Sequence, residues 1–403
     1  MAAHRAEESR GGGDGNRAGP LAGLRVLELA TVIMGPYAGA QLADLGADVI
    51  KIESPEGDPT RGFAPARHPG MAGFALNFNR NKRSVSLDLK SDGGQAALRA
   101  LIGTADALIT NIRPGALRRL GLCYEDLAQE FPRLVFVNAQ GFRSDSSLAD
   151  SAAYDDIVQA ASGLVWLNEQ VTGEAYYVPT VLADKVCSLV IVQSTLAALR
   201  HRDRTGEGQR VEVPMVDTMI AFNLVEHLAG ASLEPIEEPG YGYTRVLSAE
   251  RKACRTADGW MCILPYNDRN WRDFFARTGH PDLADDRRFS NMAARVAHAD
   301  ELYAQLRELT PQFTSAQWRE FCDAASIPAY PVHSLQEAAE SEYARQGGLV
   351  RVVEHPTEGA CRIVSTPVRY SRTPAGFYRH FPRLGADTDA VLAEAGYVDR
   401  AGD

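Results

Sequence analysis

Short apolar segments alternate with segments of helical spacing along the first half of the chain. Six of the apolar segments are rich in strand-favouring residues. They are separated by stretches such as YAGAQLADLGA, in which Ala and Leu recur every three or four residues. A strand, a helix and a second strand in succession form a βαβ unit, whose strands are parallel. The pattern therefore predicts an α/β fold with an open parallel sheet covered by helices on both faces. The six predicted strands are LRVLELA (24–30), DVIKIE (48–53), SVSLDL (84–89), DALIT (106–110), RLVFVNA (133–139) and RVEVPM (210–215).

The character of the sequence changes after the predicted helices at 184–201 and 216–230. Pro, Gly, Glu and Tyr crowd the next segment, and short strand-like runs and amphipathic helices follow it. This change in composition and hydrophobic pattern predicts a second, smaller α+β domain. We assign residues 1–20 to a disordered leader, 21–225 to the N-terminal part of the large domain, 226–330 to the small domain, and 331–403 to a return to the large domain.

Composition and charge narrow the classes of function. The chain has 403 residues with a formal net charge of −10 and no basic face, which is typical of proteins that do not bind nucleic acid. The apolar runs are interrupted by charge or are shorter than the roughly 20 residues of a membrane span. Residues 1–20 hold no apolar stretch of a secretory signal. Six scattered cysteines without a CxxC pair indicate reduced thiols. These features predict a cytoplasmic protein without membrane or nucleic-acid partners.

Several kinds of catalytic site are excluded by missing motifs. The nine histidines are dispersed, and no HExxH or Cys/His cluster has the spacing of metal ligands. The turn after the first predicted strand, ATVIMGPYAG, has neither a GxGxxG fingerprint nor a P-loop, so we expect no nicotinamide cofactor. No GxSxG nucleophile elbow is present. Carboxylates and scattered cationic side chains remain as candidate catalytic and ligand-binding groups.

Eight ordered blocks of the sequence resemble the class III CoA-transferases, the family of formyl-CoA transferase and carnitine CoA-transferase. The resemblance covers about residues 21–397, and eight ordered blocks are more specific than any single motif. The blocks are GPYAGAQLADLGADVIKIESPEGDPTR (35–61), NRNKRSVSLDLKS (79–91), NIRPGALRRLGL (111–122), YDDIVQAASGL (154–164), LADKVCSLVIVQSTLAALRHRDRTGEGQRVEVPMVD (182–217), RTADGW (255–260), IPAYPV (327–332) and LGADTDAVLAEAGY (384–397).

The resemblance implies a fold, an assembly and a set of substrates. It implies a Rossmann-like CoA-binding large domain, and a ring-like chain that interlocks with a second copy in a homodimer. The implied substrates are an acyl-CoA donor and a carboxylic acid acceptor, with coenzyme A carried as part of the substrate and no metal. Succinyl-CoA is the first donor to test.

Asp184 matches the aspartate that attacks the acyl-CoA thioester in this family. The resemblance implies a mixed anhydride, then an aspartyl-CoA thioester, from which a second carboxylic acid takes the CoA. Backbone N–H groups at the start of the following helix are expected to stabilise the oxyanion. The alternative is that Asp184 caps that helix, a common role of aspartate.

The residues that match the CoA-binding positions of the family lie near the ends of predicted strands. Ile33 and Met34 replace a Gln-Ala pair that lines the site in better-known members. Phosphates of CoA require cations, and loops beyond the carboxyl ends of parallel strands are where such sheets bind ligands. A basic run, Arg80, Lys82 and Arg83, is expected either to steer CoA or to form an exposed turn. The matching CoA positions are Leu87, Lys90, Asn111 and Arg119.

Two other functions are compatible with parts of the sequence. An α-methylacyl-CoA racemase resembles the chain in fold but uses a His/Asp pair, and no histidine lies between His68 and His201. Asp155 or Asp156 would then have to act as the base, although capping a helix start is the usual role of such residues. A catalytically silent acyl-CoA-binding protein is the second alternative.

Overall fold

A six-stranded parallel sheet forms the centre of the larger unit in the computed structural model, which describes residues 18–397. The strand order is β3-β2-β1-β4-β5-β6, the doubly wound order of a Rossmann-like sheet. The predicted open parallel α/β sheet is therefore confirmed. Its central strands are buried on both faces, which explains why they are nearly continuous apolar runs. The six strands are β1 (Arg25–Leu29), β2 (Asp48–Glu53), β3 (Arg83–Ser86), β4 (Ala107–Thr110), β5 (Val135–Gln140) and β6 (Arg210–Pro214).

Sixteen α-helices lie in the described residues, and those of the larger unit connect the strands and cover the sheet. In chain order they are α1 (Met34–Asp44), α2 (Gly73–Phe78), α3 (Asp92–Ile102), α4 (Pro114–Arg119), α5 (Tyr124–Glu130), α6 (Asp155–Ala161), α7 (Leu164–Thr172), α8 (Leu182–Thr205), α9 (Met215–His227), α10 (Asp268–Arg277), α11 (Met292–Ala297), α12 (Ala299–Leu309), α13 (Ser315–Ala325), α14 (Leu335–Glu340), α15 (Glu342–Gly347) and α16 (Thr388–Glu394). Five further short strands are β7 (Cys254–Arg255), β8 (Trp260–Ile263), β9 (Ala329–Pro331), β10 (Val350–His355) and β11 (Gly359–Val364).

The described chain forms two compact units. The larger unit runs to Ser162, continues over Pro179–Ile220, and resumes at Glu342. The smaller unit comprises Gly163–Val178 and Ala221–Ser341, a span that includes the residues 226–330 assigned from sequence. It contains the antiparallel sheet β7-β8-β9 and a core of aromatic side chains from α10 and α13. The assigned leader, residues 1–20, lies almost wholly outside the described residues.

Helix α8 has the length and hydropathy of a membrane-crossing helix, and one of its faces is buried in the larger unit. Cys187, Ile191, Thr195 and Leu199 recur every four residues and are buried. This face packs on α1, α6 and the strands β5 and β6. The apolar character of α8 therefore supplies core contacts of the larger unit.

A fully buried cluster of charged side chains lies beneath the turn between β1 and α1. Lys51 Nζ is 2.9 Å from Glu28 Oε1 and 2.9 Å from Asp58 Oδ2, and Lys82 Nζ is 2.6 Å from Glu28 Oε2. All four side chains have no exposed area. Helix α1 passes so close that a Cβ added to Gly39 would lie 2.0 Å from Glu28 Oε2. Glycine at this position therefore makes room for the cluster.

Candidate active site

The carboxyl ends of β1 and β4 meet at the point where the strand order of the sheet reverses. Parallel sheets of this kind bind ligands in the crevice at such a switch point. Asn111 follows β4, and its side chain accepts a hydrogen bond from the backbone N–H of Thr31 at 3.1 Å and donates to the Thr31 carbonyl at 2.9 Å. Asn111 therefore holds together the two chain segments that border the crevice.

The turn between β1 and α1 is strained and firmly held. Val32 has φ of +71°, which is unusual for a β-branched residue. Its N–H donates to the Asp58 carboxylate, at 3.2 Å from Oδ2 and 3.4 Å from Oδ1. Ile33 and Met34 follow and are buried. Asp58 and the charge cluster therefore fix the conformation in which these two predicted site residues enter α1.

Asp184 lies in the first turn of α8, three residues after the N-cap, Val181. The helix-capping alternative for Asp184 is therefore not supported. The carboxylate is partly buried, and no described residue between 18 and 397 forms a hydrogen bond or ion pair with it. Burial, together with the negative charge of Asp155, raises the pKa of Asp184 from 3.8 to about 7. This carboxyl group has no protein partner in the described chain, and its surroundings increase its basicity.

Asp155 positions the start of α8. Its Oδ1 accepts the backbone N–H of Asp184 at 3.0 Å, and its Oδ2 accepts from Gln159 Nε2 at 2.5 Å. Asp155 is buried and lies in the first turn of α6, whose N-cap is Tyr154. Sequence reasoning considered it only as a helix cap or a racemase base. Its link to Asp184 joins residues 29 positions apart, and local sequence patterns do not reveal it.

Ser188 brings the turn before α1 next to the Asp184 helix. Its hydroxyl lies 2.7 Å from the Met34 carbonyl and 2.7 Å from the Asp184 carbonyl, one turn earlier in α8. The structure therefore places two predicted parts of the site, Met34 and Asp184, in the same neighbourhood. The adjacent Cys187 is no rival nucleophile, because burial and the charges of Asp184 and Asp155 raise its pKa to about 12.

The expected oxyanion donors in α8 are mostly occupied. The N–H of Leu182 donates to the Thr180 carbonyl at 2.7 Å, and that of Lys185 to the Val181 carbonyl at 3.2 Å. The N–H of Asp184 donates to Asp155. Within residues 18–397, Ala183 keeps a backbone N–H without an acceptor in this turn. Ala183 has no exposed area, so within residues 18–397 this turn shows no accessible free donor, and the expectation of oxyanion donors here is not supported.

The remaining predicted CoA residues lie around the carboxyl edge of the sheet. Leu87 is buried directly after β3, where its N–H donates to the Glu53 carbonyl at 2.9 Å. Lys90 is exposed in the following turn. Arg119 is exposed in the last turn of α4 and has no acidic partner in the described part of the chain. Lys90 and Arg119 are thus accessible cations, while no described contact joins either of them to Asp184.

The basic run after α2 has a different role from either expectation. Arg80, Lys82 and Arg83 are buried and are neither a CoA-steering patch nor an exposed turn. Each is neutralised by a carboxylate from a distant segment, which compensates for the loss of solvation on burial. The partners are Asp44 for Arg80, Glu28 for Lys82, and Asp48 and Glu394 for Arg83.

Comparison with known proteins places these features in a family. Residues 21–388 match the model of CoA-transferase family III. The chain is 34% identical over 396 residues to the succinate–glutarate CoA-transferase of Agrobacterium fabrum, covering 96% of this chain and 98% of that protein. It is 30% identical over 403 residues to the formyl-CoA:oxalate CoA-transferase of Escherichia coli O157:H7, covering 94% and 96%. A crystal structure of a CAIB/BAIF family protein from Brucella suis superposes with a TM-score of 0.79 at 30% identity, covering 94% of this chain and 100% of that one.

The resemblance inferred from the eight sequence blocks is thus confirmed over nearly the whole chain. The fold as a whole agrees with that of the CAIB/BAIF family protein from Brucella suis. The chain belongs to the class III CoA-transferase family and is a CoA-transferase.

Proposed function

We propose that the enzyme moves CoA from an acyl-CoA to a carboxylic acid through covalent intermediates on Asp184. The observation that carries this proposal is the Asp184 carboxyl group itself. It is partly buried, has no hydrogen-bond partner in the described chain, and its pKa is raised to about 7. A carboxylate that lacks hydrogen bonds and full hydration is a stronger nucleophile than a solvated one.

The proposed reaction proceeds by acyl exchange at one carboxylate. An Asp184 oxygen attacks the thioester carbonyl, the C–S bond breaks, and a mixed anhydride and CoA thiolate result. The thiolate attacks the aspartyl carbonyl of the anhydride, which releases the first acid and forms the aspartyl-CoA thioester. The acceptor carboxylate attacks this thioester, and the released thiolate then attacks the acceptor's carbonyl and frees Asp184. No external energy source is required, because each step exchanges groups of similar energy.

The residues at the edge of the sheet have supporting roles in this proposal. Lys90 and Arg119 hold the phosphates of CoA, since both are exposed cations that form no salt bridge within the described chain. Ile33 and Met34 form an apolar wall next to α8. Leu87 and Asn111 maintain the backbone at the ends of β3 and β4.

We propose succinyl-CoA as the first donor to test and a dicarboxylic acid as acceptor. Two relatives are named for succinate, glutarate or oxalate, all of which carry two carboxylates.

We further propose a cytoplasmic homodimer, interlocked as the family resemblance implies. Helix α9 exposes Phe222 and Val225, which are 51% and 85% accessible. Residues three positions apart share a helix face, and neighbouring exposed apolar side chains on one face favour a protein–protein contact. A dimer of interlocked rings would resist dilution, because its folding is inseparable from its assembly. Sedimentation that finds a stable monomer would contradict the interlocked arrangement.

Chemical trapping tests the central proposal. The enzyme is incubated with succinyl-CoA and then with hydroxylamine, and the digest is analysed by mass spectrometry for a hydroxamate at Asp184. Asp184→Ala should give no adduct and no transfer while still binding CoA. Asp156→Asn is the matched control, since Asp156 is an exposed acid on α6. This variant should still form the adduct at Asp184 and still transfer CoA. A racemase or a silent acyl-CoA-binding protein would form no adduct in any variant, and that result would exclude the proposed mechanism.

A further inference from the structure

A cavity in the larger unit lies at the opposite edge of the sheet from Asn111 and the β1–α1 turn. Its floor includes Asp44, the last residue of α1, which precedes the amino end of β2. The proposed active site follows the carboxyl ends of the strands. A parallel strand of four to six residues spans roughly 13–20 Å, so the two edges are separate places in this unit. The cavity has a volume of about 500 Å³, within the range of small-molecule sites.

Two arginines of the cavity wall lack acidic partners. Arg351 lies on β10 opposite Ile363 of β11, and both line the cavity. Within the described residues no carboxylate pairs with Arg351. Arg369 also lines the cavity, and its one described hydrogen bond is a long one of 3.5 Å to the Gly347 carbonyl. In contrast, Arg80 beneath them is held by Asp44 and contributes no free charge.

An unsatisfied hydroxyl lies in the same wall. Ser365 is two residues beyond Ile363, so it continues the same face of the strand. Its backbone N–H donates to the Leu349 carbonyl at 2.8 Å, but its buried Oγ has no hydrogen-bond partner. A buried hydroxyl without a partner is destabilising unless a ligand or water satisfies it. Val368 and Phe377 add apolar surface beside these polar groups.

The local sequence has the opposite charge to the rest of the chain. Residues 342–383 contain seven arginines and three glutamates, in a protein whose formal net charge is −10. A basic segment in an acidic chain concentrates anions locally. Arg351 and Arg369, the two unpaired arginines that line the cavity, belong to this basic segment.

The geometry points to a second ligand site in this cavity, for an organic anion that is distinct from the acyl-CoA substrate. Arg351 and Arg369 hold a phosphate or carboxylate headgroup, Ser365 Oγ donates to it, and the apolar body of the ligand packs against Val368 and Phe377. Phosphate and carboxylate present the same paired oxygens to guanidinium groups, so either headgroup fits this chemistry.

Calorimetric titration of the full-length enzyme tests the inference with phenyl phosphate, benzoate and uncharged phenol. We expect phenyl phosphate or benzoate to bind and phenol not to bind, and the tighter of the two anions identifies the preferred headgroup. The double variant Arg351→Gln/Arg369→Gln should weaken binding by about tenfold or more, because charge-assisted arginine bonds are among the stronger ones. Arg372→Gln is the matched control, an exposed arginine of the same segment that does not line the cavity.

Binding should persist in the presence of saturating CoA and in Asp184→Ala. Retained transferase activity shows that the cavity variants are folded. Displacement of the anion by CoA would overturn the inference, since the anion would then occupy the acyl-CoA site. Absence of binding, or equal binding in the double variant and the wild type, would also overturn it.

Discussion

The backbone N–H of Asp184 donates to the carboxylate of Asp155 at 3.0 Å, so the first turn of α8 brings a second acid next to the proposed nucleophile. The hydrogen bond fixes the position of Asp184, while the charge of Asp155 raises its pKa beyond the effect of burial. One residue thus orients the carboxyl group and adjusts its protonation. An isosteric change at Asp155 separates these two effects.

The first prediction concerns the pH dependence of the reaction. Asp184 must be ionised to attack, and its pKa is about 7, so kcat/KM for acyl-CoA should rise with pH through about 7 and level off above it. Asp155→Asn keeps an oxygen that accepts the Asp184 N–H but removes the charge. Its profile should therefore shift to lower pH. Asp156→Asn should leave the pH profile unchanged. The range from pH 5.5 to 8.5 extends roughly 1.5 units on either side of this pKa, and a flat kcat/KM across it would contradict the assignment of Asp184.

The second prediction concerns stability. The folded protein binds a proton at Asp184 more tightly than the unfolded chain, whose aspartate has its ordinary pKa of 3.8. The free energy of unfolding therefore falls as pH rises from about 4 to 7. Asp184→Asn removes this penalty, so its Tm should exceed that of the wild type at pH 8, and the difference should shrink towards pH 4. Thermal scans at several pH values measure this, and a variant less stable than the wild type at pH 8 would contradict it.

The sheet and α8 could be predicted from sequence because their signals are local. The run DALIT is apolar where its strand is buried on both faces, and DVIKIE is rich in β-branched residues although Lys51 and Glu53 are also buried; each run forms a strand of the sheet. The apolar repeat that ends near Thr205 is long enough to predict a helix regardless of its surroundings. The position of Asp184 on this helix followed from the resemblance to the family.

The buried ion pairs could not be predicted because their partners are distant in sequence. Arg80 and Lys82 are two residues apart, a spacing that from sequence alone suggests an exposed basic patch. Their counter-charges, Asp44 and Glu28, are 36 and 54 residues earlier in the chain and are brought near only by the parallel sheet. The same applies to Asp58, whose Asp-Pro-Thr context shows a local cap but not its bond to Val32. Charge patterns alone do not distinguish a solvated cation from a neutralised one.

The third prediction concerns the strained turn before α1. Val32→Gly should increase the free energy of unfolding by about 1 kcal/mol, because glycine tolerates φ of +71° and the strain removed exceeds the added chain entropy. Asp58→Ala removes the acceptor that holds the turn and should lower kcat/KM by about tenfold, the effect of one lost charged hydrogen bond. The double variant Asp58→Ala/Val32→Gly should recover part of this loss. No recovery would mean that Asp58 acts through the buried charges instead.

The fourth prediction concerns CoA binding. Lys90→Ala and Arg119→Ala should each raise the KM for acyl-CoA by about tenfold with little change in kcat, since a phosphate contact contributes equally to the ground state and the transition state. Arg118→Ala is the matched control, because Arg118 is an exposed neighbour that pairs weakly with Asp150 at 3.4 Å. Steady-state kinetics at low and high salt measure these effects. An unchanged KM in both variants would show that neither Lys90 nor Arg119 binds CoA.

The fifth prediction concerns the buried cluster beneath the β1–α1 turn. Glu28 is in contact with both Lys51 and Lys82, and all three side chains are completely buried. Burial lowers the pKa of Lys82 to about 8 even though Glu28 opposes this shift. Glu28→Gln removes the carboxylate that neutralises the buried ammonium groups of Lys51 and Lys82. It should lower the free energy of unfolding by about 3–5 kcal/mol. Glu130→Gln breaks an exposed pair with Arg99 of similar length, 2.6 Å, and should cost less than about 1 kcal/mol. Urea denaturation of both variants gives the comparison. Equal costs would mean that water reaches the cluster and screens it as it does at the surface.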